Sequence, residues 1–332
     1  MSMNADGNFS VIICAYTWER WNDVLEAVAS VQAQTLQPRE IIVVIDHNPE
    51  LQEALAQQLG AGVRLMANAE SRGLSGARNT GIGAASGEWI AFLDDDAVAE
   101  ADWLARLANC FDDAAVMGAG GAIEPLWIGG EPAWFPREFN WVVGCTYTGM
   151  PESRSAIRNL LGCNMAFRRE VFEAIGGFRS GMGRIGKTPL GCEETELCIR
   201  AMQRWPERSF VFEPAARVHH RVPAVRGRWE YFHARCYAEG LSKAQVASLV
   251  GPQQGLESER RYVRQTLPAA VLGGMGQALR GDVDGPRRAA AVAAGLAWTV
   301  AGYMRGKVRT LRASAPSTLG CHANAAVATA IQ

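Results

Sequence analysis

Apolar and polar positions follow two alternating periods through the first half of the chain, and each stretch reads as an element. Phe9 to Ala15 is an apolar, β-rich run ending in Tyr16-Thr17, and a helical pattern follows from Trp21 to Gln34. Glu40 to Ile45 is almost purely β-branched and closes on Asp46-His47-Asn48-Pro49. Leu51 to Leu59 spaces its apolar residues as a short helix, and Val63 to Met66 gives a third strand. Gly73 to Gly87 is glycine-rich with a helical middle, a fourth strand starts at Trp89, and Ala115 to Ile123 gives another. Strands alternating with helices in this way predict an α/β fold with a doubly wound, mostly parallel sheet.

The pattern changes after Gly162. Asn164 to Phe167 reads as a strand and Arg168 to Ile175 as a helix closed by Gly176-Gly177. Arg179 to Cys192, rich in glycine and basic residues, reads as a mobile loop. An amphipathic helix is predicted over Glu193 to Trp205, and a strand over Phe210 to Phe212 leads to Val218-His219-His220. From Arg226 onward strand signals stop. Trp229 to Leu249 and Ser258 to Leu267 read as helices, and Ala289 to Met304 is an uncharged, alanine-rich run between Arg287-Arg288 and Arg305. As a helix that last run spans about 24 Å, short of the roughly 30 Å hydrocarbon core of a bilayer. A core helix or a surface anchor fits it better than a membrane span. Residues 313–332 carry no pattern and are expected to be a disordered tail.

At 332 residues the chain has ample material for a core. A net charge of −1 excludes the electrostatic footprint of a nucleic-acid binder. The 8 cysteines are irregularly spaced, without a CxxC pair or a zinc spacing, which points to a reducing compartment. The polar start, Met1 to Asn8, lacks the apolar core of a signal peptide, so a cytoplasmic location is expected.

The chemistry concentrates in Asp94-Asp95-Asp96, which follow the apolar run from Trp89. In open α/β sheets ligands bind beyond the carboxyl ends of the strands. Three adjacent carboxylates repel one another unless a cation lies between them. Hard oxygen ligands at that place suit Mg²⁺ or Mn²⁺, which in turn suit a diphosphate. A helix cap alone needs one Asp and no buried strand leading into it.

The order of these pieces resembles the family 2 glycosyltransferases, enzymes of the GT-A fold, over Phe9 to Pro223. The resemblance implies a nucleotide-binding strand end at Ala15 and Tyr16, continuing to Glu19, with the Tyr16 ring against a pyrimidine. Asp46 would accept a hydrogen bond from the base, although Ile45 stands where the family often has a first polar residue. Within Gly73-Leu74-Ser75-Gly76-Ala77-Arg78-Asn79-Thr80-Gly81, Arg78 would lie near ribose or phosphate. Asp94 and Asp95 would hold ribose hydroxyls and metal-bound water, Asp96 would ligate the metal with Asp94, and His220 would face metal or diphosphate, with His219 second. Glu193 and Glu194 match the acidic pair that opens a helix in the family, whose second member is the catalytic base. Gln203-Arg204-Trp205 resembles part of a motif of processive synthases but comes too early in the chain for that role, and Trp205 reads as core.

The resemblance therefore predicts a metal-dependent, inverting transfer of a sugar from a nucleotide-diphosphate sugar, with uridine as the expected nucleoside. The acceptor would be a saccharide, a lipid-linked saccharide or a small molecule. Residues 8–225 would form the catalytic domain, with 8–123 for the nucleotide sugar and 124–225 for the acceptor, and 226–312 a helical extension. Aromatic and cationic residues mix over Arg226–Phe232 and Arg235–Lys243, so peripheral contact with the inner face of a membrane is also expected. Two alternatives remain open from the sequence: a nucleotidyltransferase, although the turn after Tyr16 has no glycine cradle, and a non-catalytic nucleotide-sugar-binding scaffold.

Overall fold

The computed structural model describes residues 8–184, 190–251 and 257–314. Its centre is a nine-stranded sheet. The strands are β1 (Phe9–Ala15), β2 (Glu40–Ile45), β3 (Val63–Ala67), β4 (Trp89–Asp94), β5 (Ala97–Ala99), β6 (Val116–Ile128), β7 (Ser155–Ile157), β8 (Asn164–Arg168) and β9 (Ser209–Pro223). Their order is β3-β2-β1-β4-β8-β6-β9-β5, with β7 beside β9.

The continuous apolar runs are explained by helices on both faces. Val11, Ile13, Val43 and Leu93 point to one side, where they meet Val24, Ala27 and Val31 of α1 (Trp21–Gln32), Leu51 and Leu55 of α2 (Pro49–Gln58) and Trp103 of α4 (Trp103–Ala108). Ile12, Ile42, Val44 and Phe92 point to the other. There they meet Ala77 of α3 (Leu74–Ala84), Phe172 of α5 (Arg169–Ile175) and Leu197 of α6 (Glu193–Arg204). A strand with both faces covered loses its polar alternation, and each such side chain taken from water contributes roughly 1.5–3 kcal/mol.

The parallel arrangement predicted from the strand–helix alternation holds across β3-β2-β1-β4. Beyond β4 the sheet is mixed, because β8 runs antiparallel to both β4 and β6 while β9 is parallel to β6. β6 and β9 continue past their predicted ends, through an irregularity where Gly121 faces Glu213 but Ile123 faces Val218. That jump places His219 and His220 within a strand rather than after one. β5 and β7, three residues each, are too short to impose a period on the sequence.

Helical packing closes the fold. α7 (Trp229–Val250) is followed by a helical turn, Glu257–Arg261, a π-type turn, Tyr262–Thr266, and then α8 (Leu267–Ala278) and α9 (Asp284–Ser314). α9 outruns the predicted Ala289–Met304 at both ends and takes in 313 and 314 of the expected tail; 315–332 lie outside the described residues, as do 185–189 of the predicted loop. Among the described residues no helix is long and apolar enough to cross a membrane. α9 lies on α7 through paired glycines: a Cβ on Gly302 would overlap the Tyr237 carbonyl oxygen, and one on Gly240 would overlap that of Thr299.

Candidate active site

The carboxyl ends of β1, β2 and β4 share one edge of the sheet because the three strands are parallel and in register, with Ala15 beside Ile45 and Cys14 beside Asp94. A cavity opens there between Ala15, Tyr16, Arg20, Asp46, Asp94 and Asp95. Tyr16 is half exposed at its mouth, with the Arg20 guanidinium 5.9 Å from its ring centre. Glu19 lies outside this group: its side chain is exposed, and its amide donates to Thr17 Oγ1.

The acidic triplet fans into three environments. Asp94 is partly exposed and accepts from Arg78 Nη2 at 3.3 Å. Asp95 is buried and paired with Arg20, yet its Oδ2 is buried without a partner among the described residues. Burial pushes Asp95 up to about 7, Arg20 pulling it down and Asp96 and Asp94 adding to the rise. Asp96, also buried, meets Arg20 at 2.7 Å, His220 Nε2 at 3.3 Å and Arg226 at 3.3 Å. Burial works to raise Asp96 as well, but His220 first, then Arg20 and Arg226, outweigh it and hold the group far below the carboxylate range. The ligand atoms of Asp94, Asp96 and His220 all lie within 4.8 Å of one another. Two hard oxygens and one imidazole nitrogen form a donor set that fits Mg²⁺ or Mn²⁺.

His220 owes its place to β9, whose pairing with β5 sets it opposite Ala97, one residue beyond Asp96. Its Nδ1 faces Cys145 Sγ at 3.7 Å. His219, pointing to the other face of the strand, binds Glu100 at 3.3 Å and Glu124 at 3.7 Å, away from the triplet.

Arg78 links the two halves of the site. It is 2% exposed, its guanidinium lying 5.8 Å from the Phe92 ring and 5.4 Å from Phe178. One nitrogen donates to Glu193 at 2.8 Å, another to Asp94 and to the Gly162 carbonyl at 2.9 Å. A Cβ on Gly162 would sit 3.2 Å from that nitrogen, so the glycine leaves the guanidinium its space. Glu193 thereby becomes a charge partner, and Glu194 has no cation in direct contact among the described residues. Burial, and then the neighbouring Glu193, push Glu194 up to about 8.

Asp46 is held on both oxygens, by Asn68 Nδ2 at 2.7 Å and by the Gly73 amide at 3.0 Å. His47 (φ 52°) and Cys192 (φ 69°) are the non-glycine residues with left-handed backbone among those described, and they adjoin Asp46 and Glu193. Such conformations cost on the order of 1–3 kcal/mol and persist where the surroundings fix them. Around Cys192 the fixing groups come from α7: Ser242 Oγ accepts the Gly191 N–H at 3.1 Å, and the Cys192 thiol donates to Glu239 at 3.3 Å.

The structure thus gathers Ala15, Tyr16, Asp46, Arg78, Asp94, Asp95, Asp96, Glu193, Glu194 and His220 around one sheet edge and leaves Glu19 and His219 beside it. Sequence reasoning missed Arg20 and Arg226, the two cations that offset the triplet. A single Arg in a short turn carries no periodic signal, although Arg20 is the first cation of the chain.

Comparison with known proteins agrees with this geometry. The family model described as Glycosyl transferase family 2 matches residues 10–176. The chain is 35% identical over 266 residues to the glucosyl-dolichyl phosphate glucuronosyltransferase of Haloferax volcanii, covering 79% of this chain and 84% of that one. It is 25% identical over 297 residues to the succinoglycan biosynthesis protein ExoM of Rhizobium meliloti, covering 79% and 91%. Among solved structures, the mannosyltransferase PcManGT of Pyrobaculum calidifontis, in complex with GDP-Man and Mn²⁺, superposes with a TM-score of 0.58 at 18% identity, over 90% of this chain and 87% of that one. The family model covers the first eight strands and the acidic triplet, and the chain belongs to the family 2 glycosyltransferases, as a glycosyltransferase of the GT-A fold.

Proposed function

We propose that this glycosyltransferase moves a sugar from a uridine-diphosphate sugar to an acceptor hydroxyl with inversion, and that Glu194 is the base. The observation that carries the reading is the bridge of Arg78 between Asp94 and Glu193, which ties the acidic strand end to the helix bearing Glu194. Donor and acceptor chemistry then meet at one point. The Tyr16 ring lies against the base, Asp46 accepts from its imide, and Asp95 holds a ribose hydroxyl. Asp94, Asp96 and His220 would hold Mg²⁺ or Mn²⁺, which would supply Lewis-acid neutralisation of the leaving diphosphate. Glu194 removes the proton of the acceptor hydroxyl. The acceptor oxygen bonds to the anomeric carbon on the face opposite the diphosphate, and the bond from that carbon to the diphosphate oxygen breaks. A carboxyl raised to about 8 is a strong enough base to take such a proton from its deprotonated form, whose share grows as pH rises towards that value.

Residues 8–225 serve as the catalytic unit, working at the cytoplasmic face of a membrane on a saccharide or lipid-linked acceptor. The glucuronosyl-transferring relative makes UDP-glucuronate the first donor to assay. Nucleotidyl transfer is disfavoured because the turn Trp18–Arg20 offers no glycine cradle and its cation is already bound to Asp95 and Asp96.

The test is Glu194→Gln, with UDP affinity measured by calorimetry and UDP release from UDP-sugars measured as turnover. We expect donor affinity close to wild type and turnover lowered by about 10²–10⁴, the usual contribution of a general base. A loss of donor affinity as large as the loss of turnover would overturn the assignment.

A further inference from the structure

We infer that the hairpin of α8 and α9 docks the enzyme on an anionic lipid bilayer. The inference rests on the membrane-facing reading above and gives it a surface.

From Gln265 to Leu279 the chain carries no charged residue, and Arg264 and Arg280 bracket the run. One side of α8 is used inside the protein: Leu267 is buried, and Gly274 packs against Gly285 and Ala289 of α9. The other side is unpartnered. Leu272, Met275 and Leu279 fall within a narrow arc at three and four residues' spacing. They are 73%, 54% and 92% exposed, and Val283 in the connecting turn is 72% exposed. Single exposed apolar residues are ordinary, but a row of four on one hairpin marks a surface meant to be covered.

The charges identify the cover. Lys243 pairs with Glu259, Arg287 with Asp284 and Arg288 with Asp282. Arg260, Arg261, Arg264 and Arg280 face no carboxylate partner among the described residues. An apolar row with arginines that pair with no described carboxylate at both its ends matches acyl chains beneath anionic headgroups. A second copy of the chain is a poorer cover, because a twofold contact through the row would set these arginines near their own symmetry mates.

The hairpin is also wired to the site. Tyr262, at its base, contacts the Tyr147 ring at 5.4 Å and receives a hydrogen bond from Trp141. Between those two residues lie Gly144 and Cys145, the neighbours of His220. A docked hairpin therefore brings this wall of the site to the lipid surface, where a lipid-linked acceptor is held.

The experiment is co-sedimentation of the full chain with vesicles of phosphatidylcholine alone and of phosphatidylcholine mixed with phosphatidylglycerol. We expect about tenfold more protein bound to the anionic vesicles, since headgroup charge adds to apolar burial. Leu272→Glu/Leu279→Glu should abolish binding to both vesicles, and Arg264→Glu/Arg280→Glu should remove the anionic preference. Unchanged UDP affinity in both variants would show that the fold and donor site survive. Absence of wild-type binding, or equal binding by Leu272→Glu/Leu279→Glu, would overturn the inference. So would a doubled solution mass that this variant halves, which would make a second copy the occupant. None of these readouts depends on Glu194, so failure here is separable from failure of the transfer reading.

Discussion

Arg20 and Glu194 show how single charges set the state of this site. Arg20 neutralises two buried carboxylates, Asp95 and Asp96, and reaches them from a turn 75 residues earlier in the chain. Glu194 has the opposite situation, because Arg78 spends its two contacts with carboxylates on Glu193 and Asp94. Its carboxyl is therefore raised from the ordinary 4.5 to about 8, by burial and then by Glu193. A base acts deprotonated, so turnover should climb as pH passes through about 8 and level off above it. Stability should run the other way. A folded-state value above the unfolded one stabilises the protein at low pH, and that contribution is lost as pH rises from about 4.5 through about 8. Glu194→Gln lacks this loss, so calorimetric melting should show it gaining on wild type as pH rises from about 4.5 to about 8, and a gap that stays constant over that range would contradict the raised carboxyl. Asp94, Asp95, Asp96, Arg78, Glu194 and His220 were legible because each sits in a short local motif, the three aspartates and Glu194 at an element's end. Arg20 and Arg226 were not, since their meaning arises only when distant segments meet.

At the scale of elements, helix α6, which carries Glu193 and Glu194, is anchored by the helices that follow β9. α7 supplies Ser242 and Glu239 to the left-handed turn at Gly191-Cys192, and α9 holds α7 in place through glycine contacts. The helix from Trp229 and the strands from Phe9 to Leu93 were legible from periodicity. The reach of β9 to His220 was not, because the extra residues opposite Gly121–Ile123 break the period of two. The close crossing of α7 and α9 was hidden too, since glycines within a helix read as weak points until a partner backbone is seen against them. Gly302→Leu should cost about 1–3 kcal/mol through overpacking against the Tyr237 carbonyl, read as a lowered Tm. An unchanged Tm would show that the crossing is looser than described.

For the whole molecule, one sheet serves two tasks. Its parallel half, β3-β2-β1-β4, ends in the edge that carries Tyr16, Asp46 and the acidic triplet, and its mixed half returns β9 so that His220 meets Asp96. The doubly wound pattern foretold the first half from alternating strands and helices. It was silent on the second, where β8 lies antiparallel between β4 and β6 and is fixed by long-range pairing. The central claim is that this junction is a metal-dependent uridine-diphosphate site. Calorimetric titration of UDP into wild type and Asp96→Asn, with and without Mn²⁺, tests it most directly. The account predicts UDP binding to wild type that requires Mn²⁺ and is lost in Asp96→Asn, while UDP binding of equal strength with and without the metal would contradict it.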